Sequence, residues 1–263
     1  MKLKIISLAV LLAIALNATS QSNTDINKTD PQGKMQGLWI KKYPDNIHIL
    51  YEGTFLDNHP VGELKRYYED GRLRSRLVYS QDGKKADAEI YHPNGNISSS
   101  GIYINQLKEG QWKFFSARIK GLLLNEESYL KNQKNGLSVK FYPDSAVAEK
   151  VSYLNDKREG EWLQYHPDGK LSLKALYKGG MLNGKFEAWY PDGKPESTGS
   201  YKNNLREGTW RIFKADGSLR YELNYVNGIT DDKKIGEDAE KLLDEMDKNK
   251  GSIADPEKTG EIR

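Results

Sequence analysis

Seven residues, Gly179-Gly180-Met181-Leu182-Asn183-Gly184-Lys185, reproduce the G-x-x-x-x-G-K of a phosphate-binding loop. In that motif backbone amides cradle the phosphates, the lysine reaches their oxygens, and a following Ser or Thr hydroxyl holds magnesium. Here the next residue is Phe186, which has no ligand atom. The segment also joins two alternating stretches instead of a strand and a helix, so it reads as an inter-strand loop. The histidines are His48, His59, His92 and His166. The last two directly precede a proline, in a place filled elsewhere by Tyr68, Tyr142 and Tyr190. A place that takes Tyr and His alike serves packing or surface, not ligation. No H-x-x-x-H, nucleophile elbow or calcium loop occurs. Carboxylates such as Glu161, Asp168 and Glu187 recur because a longer phrase recurs, and nothing pairs them uniquely. Cysteine is absent, which excludes thiolate metal sites and cysteine nucleophiles. The expectation is a protein without enzyme activity, cofactor, metal or small-molecule substrate.

The phrase behind these recurrences is clearest in EGEWLQYHPDGKLSLKALYKGGML (159–182) and NGKFEAWYPDGKPESTGSYKNNLR (183–206), two 24-residue copies back to back. Self-similarity at such a period marks a repeat array. The anchor glycines are Gly37, Gly62, Gly110, Gly136, Gly160, Gly184 and Gly208, with Ala86 in the third copy. Eight copies therefore span 37–230. Two residues after the anchor stand Trp39, Trp112, Trp162, Phe186 and Trp210; five after it stand Tyr67, Tyr165 and Trp189, among others. Each copy closes on an aromatic, including Tyr79, Tyr177, Tyr201 and Tyr225.

Within a copy, Pro-Asp-Gly presets a type I turn followed by a left-handed glycine, a common hairpin connection. Beyond it the pattern alternates with period two: Leu171, Leu173, Ala175 and Tyr177 share one side of a strand. Each copy is thus a β-hairpin, and the fold class is all-β, an elongated meandering antiparallel sheet of about eight hairpins with a short C-terminal helix. The aromatics at 162 and 165 are three residues apart, so either a bulge realigns them or both faces carry aromatic packing. The fourth and fifth copies lack a full Pro-Asp-Gly, and the fourth has two extra residues. An irregular sheet is expected there, and 115–150 is where a distinct site would break the repeat.

The ends differ from the array. Lys2 and Lys4 precede an apolar run, Ile5–Leu16, and Ala18 and Ser20 then fit a cleavage site before Gln21. The run is too short to span a bilayer. Residues 1–20 are expected to be a signal peptide cleaved between Ser20 and Gln21, which places the protein in the periplasm or outside the cell. Residues 21–36 read as a flexible leader, 231–248 as an acidic amphipathic capping helix, and 249–263 as a disordered tail. The net charge is +3, with lysines and arginines interleaved among acids, so no nucleic-acid footprint appears.

The phrase G-x-W-x-x-Y-x-P-D-G, with its closing Tyr, resembles the MORN-type repeat, and in particular the bacterial variant described as the antitoxin component of toxin–antitoxin modules. The resemblance covers about 190 of 263 residues. It implies a non-enzymatic interaction surface for proteins or lipid head groups. The leading expectation is an exported repeat scaffold binding a protein partner. The alternatives are an antitoxin or immunity-type protein that neutralises a toxin by direct binding, and a module associating with membrane or cell wall.

Overall fold

A computed structural model describes residues 26–230 and 233–250; the cleavage site at Ser20 and Gln21 and the tail beyond 250 lie outside them. The described chain is a meander in which each strand pairs with the next in antiparallel fashion. The order begins β1 (Lys28–Thr29), β2 (Met35–Lys42), β3 (Ile49–Leu56), β4 (His59–Tyr67), β5 (Leu73–Tyr79) and β6 (Lys85–Tyr91). It continues through β7 (Ile97–Ile104), β8 (Leu107–Phe115), β9 (Leu123–Leu130), β10 (Gln133–Phe141), β11 (Val147–Leu154) and β12 (Lys157–Tyr165). It ends with β13 (Leu171–Lys178), β14 (Met181–Trp189), β15 (Pro195–Lys202), β16 (Leu205–Phe213), β17 (Leu219–Val226), β18 (Ile229–Thr230) and helix α1 (Lys233–Lys250).

Two kinds of turn alternate along the sheet. Inside a copy the Pro-Asp-Gly turn is closed as expected: Tyr190 N–H donates to Lys194 O at 2.9 Å, and Gly193 sits at φ +89°. The Asp192 carboxylate accepts from Lys194 N–H at 3.0 Å, which locks the turn. Between copies the connection is a two-residue turn with both residues left-handed, as at Asn203 (φ +51°) and Asn204 (φ +68°). Such turns match the right-handed twist of their strands, and Asn tolerates the conformation. In the fifth copy Ser145 holds the glycine's place at φ +71°. Left-handed backbone costs a residue with a Cβ about 1 kcal/mol relative to glycine. Ser145→Gly is therefore expected to stabilise the protein by about 0.5–1 kcal/mol in urea unfolding; an unchanged or lower midpoint would contradict this.

The anchor glycines mark bulges. Tyr177 pairs with Leu182, yet Ala175 pairs with Phe186, so the anchor strand carries two extra residues around Gly184, whose φ is +121°. The third copy shows why it can dispense with glycine. There β5 and β6 pair without a register shift, Tyr79 opposite Ala86. The extra residues stand instead in a longer turn closed by Ser80 N–H to Lys85 O, with Gly83 left-handed.

Three expectations are corrected. The leader predicted as flexible over 21–36 is ordered from residue 26: β1 pairs with β2, and Asn27 bridges Ile40 through both its Nδ2 and Oδ1. The Asp30-Pro31-Gln32-Gly33 turn explains this, because Asp30 Oδ1 accepts from Gln32 and Lys34 N–H and Gly33 takes φ +78°. The sheet is not broken at the fourth and fifth copies either. The pairing of β8 with β9 has the register of its neighbours, and the two extra residues are absorbed by the turn between Ser116 and Leu122. Ser116 Oγ holds that turn by accepting from Arg118 and Ile119 N–H. Finally, the helix has the expected length but starts and ends two residues later, running Lys233–Lys250.

Candidate interaction face

The two faces of the sheet differ, which resolves the three-residue spacing. Aromatics at the second place after the anchor (Trp112, Trp162, Phe186, Trp210) and the closing Tyr79, Tyr177, Tyr201 and Tyr225 lie on one face. Cross-strand partners carry it forward: Trp162 faces Ala175, Ala175 faces Phe186, and Phe186 faces Gly199. Tyr67, Tyr165 and Trp189, five places after the anchor, lie half-buried on the opposite face. There Tyr67 donates to Glu52, and burial, reinforced by this bond, pushes its hydroxyl up to about 12. That second face carries ion pairs between neighbouring strands, such as Lys174–Glu161 and Arg211–Glu222, with exposed Leu137 and Leu176 among them. Its exposed pairs are worth little each, and their alternating sign leaves no large field.

Tryptophans settle on the aromatic face because glycines make room for them. A Cβ at Gly101 would stand 2.4 Å from the Trp112 ring, and one at Gly199 would stand 2.2 Å from Trp210. Both rings donate from Nε1 to a backbone carbonyl, Ile102 O at 3.1 Å and Ser200 O at 3.0 Å. Where Val151 replaces that glycine, Trp162 donates instead to Glu149 Oε2 at 3.0 Å. Trp39, in the first copy, is half-buried and donates to Lys28 O.

Cations lie over these rings. Lys108 Nζ stands 4.9 Å from the Trp112 ring and 4.7 Å from Tyr129. Arg158 lies over Trp162 and Tyr177, and Arg206 over Trp210 and Tyr225. Each stands two residues before an anchor glycine. That periodic Lys or Arg was available in the sequence but is invisible to a reading that tracks only Gly, aromatics and turns.

Along the array the aromatic face has three zones. At the C-terminal end Leu173, Phe186, Trp210 and Tyr225 form an apolar cluster joined by Ala239 and Leu243 of α1. Asp244 of the helix meets Arg206 at 3.3 Å. The side chains of Ile235 and Met246, expected on the same stripe, lie outside the described residues. In the middle the face turns polar, at the break in the repeat where a distinct feature was anticipated. Glu127 is 2% exposed and meets Lys134 Nζ at 2.6 Å and Asn125 Nδ2 at 2.7 Å. Glu149 is 4% exposed and meets Lys140 Nζ at 3.1 Å, Trp162 Nε1 and Gln164 Nε2. The third zone, across β4 to β8, is an open groove of about 480 Å³ lined by Tyr79, Tyr103, Trp112 and Phe114 with Arg66, Arg74 and Lys108.

The remaining sequence candidates have structural roles. Gly37, Gly62, Gly110, Gly136, Gly160 and Gly208 are left-handed like Gly184. The interchangeable Tyr and His before the turn hold neighbouring copies together: Tyr190 Oη donates to Phe213 O at 2.9 Å, and His166 Nε2 contacts Trp189 O at 2.9 Å. His92 Nε2 contacts Phe115 O at 3.1 Å in the same way. A carbonyl only accepts, so Nε2 is the donor in both contacts. Both ring types present a donor at similar reach, which is why the place takes either. The phosphate-loop match is an inter-copy turn, with Gly179 and Gly180 both left-handed. Among the described residues no group of His, Asp and Glu is arranged to hold a metal, and no helix is long and apolar enough to cross a membrane.

An open sheet of stacked hairpins with an aromatic and an ionic face defines a repeat scaffold. Four segments, 60–81, 158–178, 182–203 and 206–227, match the family described as MORN repeat variant. Each begins two residues before an anchor glycine, so these four copies are similar to that repeat. No curated protein matches it. A solved structure described as "Crystal Structure of TcdB2-TccC3-Cdc42" is similar at 12% identity over 74% of this chain and 13% of that one, with a TM-score of 0.18. The chain thus spans about an eighth of that protein's length, and nothing about this chain follows from it.

Proposed function

We propose that this protein is a non-catalytic scaffold, exported through its N-terminal segment, that binds a protein partner along the open part of its aromatic face. The observation that carries the reading is the uneven cover of that face. Helix α1 seals the C-terminal cluster, while the groove over β4–β8 presents the half-buried Tyr79 and Tyr103 with the exposed Arg66 and Arg74. Tyr, Trp and Arg are the side chains most often found at binding hot spots. The ionic face, with its mixed signs, offers no one-signed basic surface to an anionic membrane.

The chain from Gln21 onward, immobilised and exposed to the native envelope fraction, is expected to enrich a discrete protein. An otherwise identical bait with Arg66→Glu and Lys108→Glu is expected to lose it. Enrichment no greater than with a scrambled-surface control would sink the scaffold reading. Retention on anionic vesicles that fades with salt would replace the protein partner by a membrane. Cell fractionation tests the address separately, since a cytosolic pool with intact Met1 would overturn export.

A further inference from the structure

The fourth and eighth copies, 98 residues apart, build the same local arrangement. Trp112 lies over Gly101 with Tyr103 edge-on at 4.9 Å; Trp210 lies over Gly199 with Tyr201 edge-on at 5.0 Å. Lys108 stands over the first ring and Arg206 over the second. In the eighth copy the occupant of this chemistry is visible. Helix α1 brings Ala239 and Leu243, one turn apart on one stripe, into the aromatic cluster, and Asp244 reaches Arg206. The seat over β17 is not repeated over β9, because Glu127 and Asn125 stand where β17 has Leu223 and Tyr221. On the other flank of Trp112, itself fully buried, runs the groove, where Tyr79 and Tyr103 are half-buried and the lining has three cations and no carboxylate.

We infer that this groove receives an acidic amphipathic helix of a partner protein, with a small residue and a leucine four apart against Tyr79 and Tyr103, above the buried Trp112, and carboxylates toward Arg66, Arg74 and Lys108. The inference rests on the partner-binding reading above and specifies its ligand. The groove crosses four inter-strand steps, about 19 Å at ~4.8 Å each. That accommodates about 13 residues of helix at ~1.5 Å per residue. Charge complementarity selects the acidic face, and the ring ladder selects the apolar stripe.

A fluorescein-labelled peptide with the sequence of residues 233–250 is the probe, titrated into the full chain from Gln21 by fluorescence polarisation. Saturable binding is expected, weakened about ten-fold or more by Arg66→Glu and by Lys108→Glu, and by changing the peptide's acids to lysines. Arg206→Glu, at the seat already filled, is expected to change it less than about two-fold. Arg66 is exposed, so its variant keeps the test decisive if Lys108→Glu fails to fold. Absence of saturable binding, or loss of binding with Arg206→Glu alone, would overturn the inference. Self-association of the chain that Arg66→Glu abolishes would put a second copy's helix in the groove and would overturn the partner assignment. A negative peptide titration alongside a positive envelope capture would remove this inference and leave the scaffold reading standing on another surface.

Discussion

Gly199→Ala is expected to lower the stability of the C-terminal copies by about 1–3 kcal/mol, the range for overpacking a filled core. The new methyl would stand 2.2 Å from two atoms of the Trp210 ring. That ring cannot withdraw easily, because it is fully buried, packs 5.4 Å from Phe186 and 5.0 Å from Tyr201, and donates to Ser200 O. Gly101→Ala meets Trp112 in the same way and should cost as much. Gly53→Ala should cost less, since its closest neighbour is the end of a flexible side chain, Leu64 Cδ1 at 2.6 Å. None of the three is left-handed, so the penalty is packing. At Gly208 the reverse holds: φ is +70° and a Cβ would meet nothing within 4 Å, so Gly208→Ala should cost about 1 kcal/mol through the backbone alone. Urea midpoints give the ranking, and near-UV circular dichroism reports the displaced indole. If the clash is the cause, Gly199→Ala becomes nearly neutral in a Trp210→Leu background. A full-size loss in that background would assign the effect elsewhere.

These glycines also show how far the sequence could be read. The hairpins were legible because turn chemistry and period-two alternation act locally, and both turns formed where Pro-Asp-Gly and paired Asn or Gly stand. What alternation alone could not settle was the face of the aromatics at 67, 165 and 189. Plain alternation puts them opposite the aromatics three places earlier, where they lie, but a bulge would have reversed this, and a bulge is defined only against its partner strand. Gly101 and Gly199 are likewise uninformative in isolation, because the tryptophans they admit stand 11 residues away on the next strand. The same limit hid the groove. Arg66, Arg74, Tyr79 and Lys108 come from three strands and meet only through register. Loss of the Pro-Asp-Gly phrase marked a stretch, 115–150, that differs in its buried polar groups and not in sheet regularity, while the groove lies outside it. The strands there keep their pairing while Asn125, Glu127, Lys140 and Glu149 replace apolar residues on the buried face.

That polar zone gives the largest expected effect. Lys140→Met should destabilise the protein by about 3–5 kcal/mol at pH 7, the cost of leaving a buried charge without its partner. Burial is the strongest influence on Glu149 and pushes its pKa up. The Lys140 charge and the bonds from Trp162, Gln164 and Lys140 outweigh it, so the carboxyl titrates below its ordinary 4.5. A depressed folded pKa means that this group's stabilisation is present above about pH 4.5 and is lost as pH falls through the folded value. Removing Lys140 reverses the balance. Burial then opposes only the indole and amide donors, the pKa rises, and the charged carboxylate becomes a burden near neutrality that protonation relieves. The gap between wild type and Lys140→Met in denaturant midpoint should therefore be widest near pH 7 and close toward pH 4. Adding Glu149→Gln should flatten it, because no charge is then left to titrate. A gap of constant size across this range would mean that Trp162 and Gln164, not the ammonium of Lys140, carry the buried carboxylate.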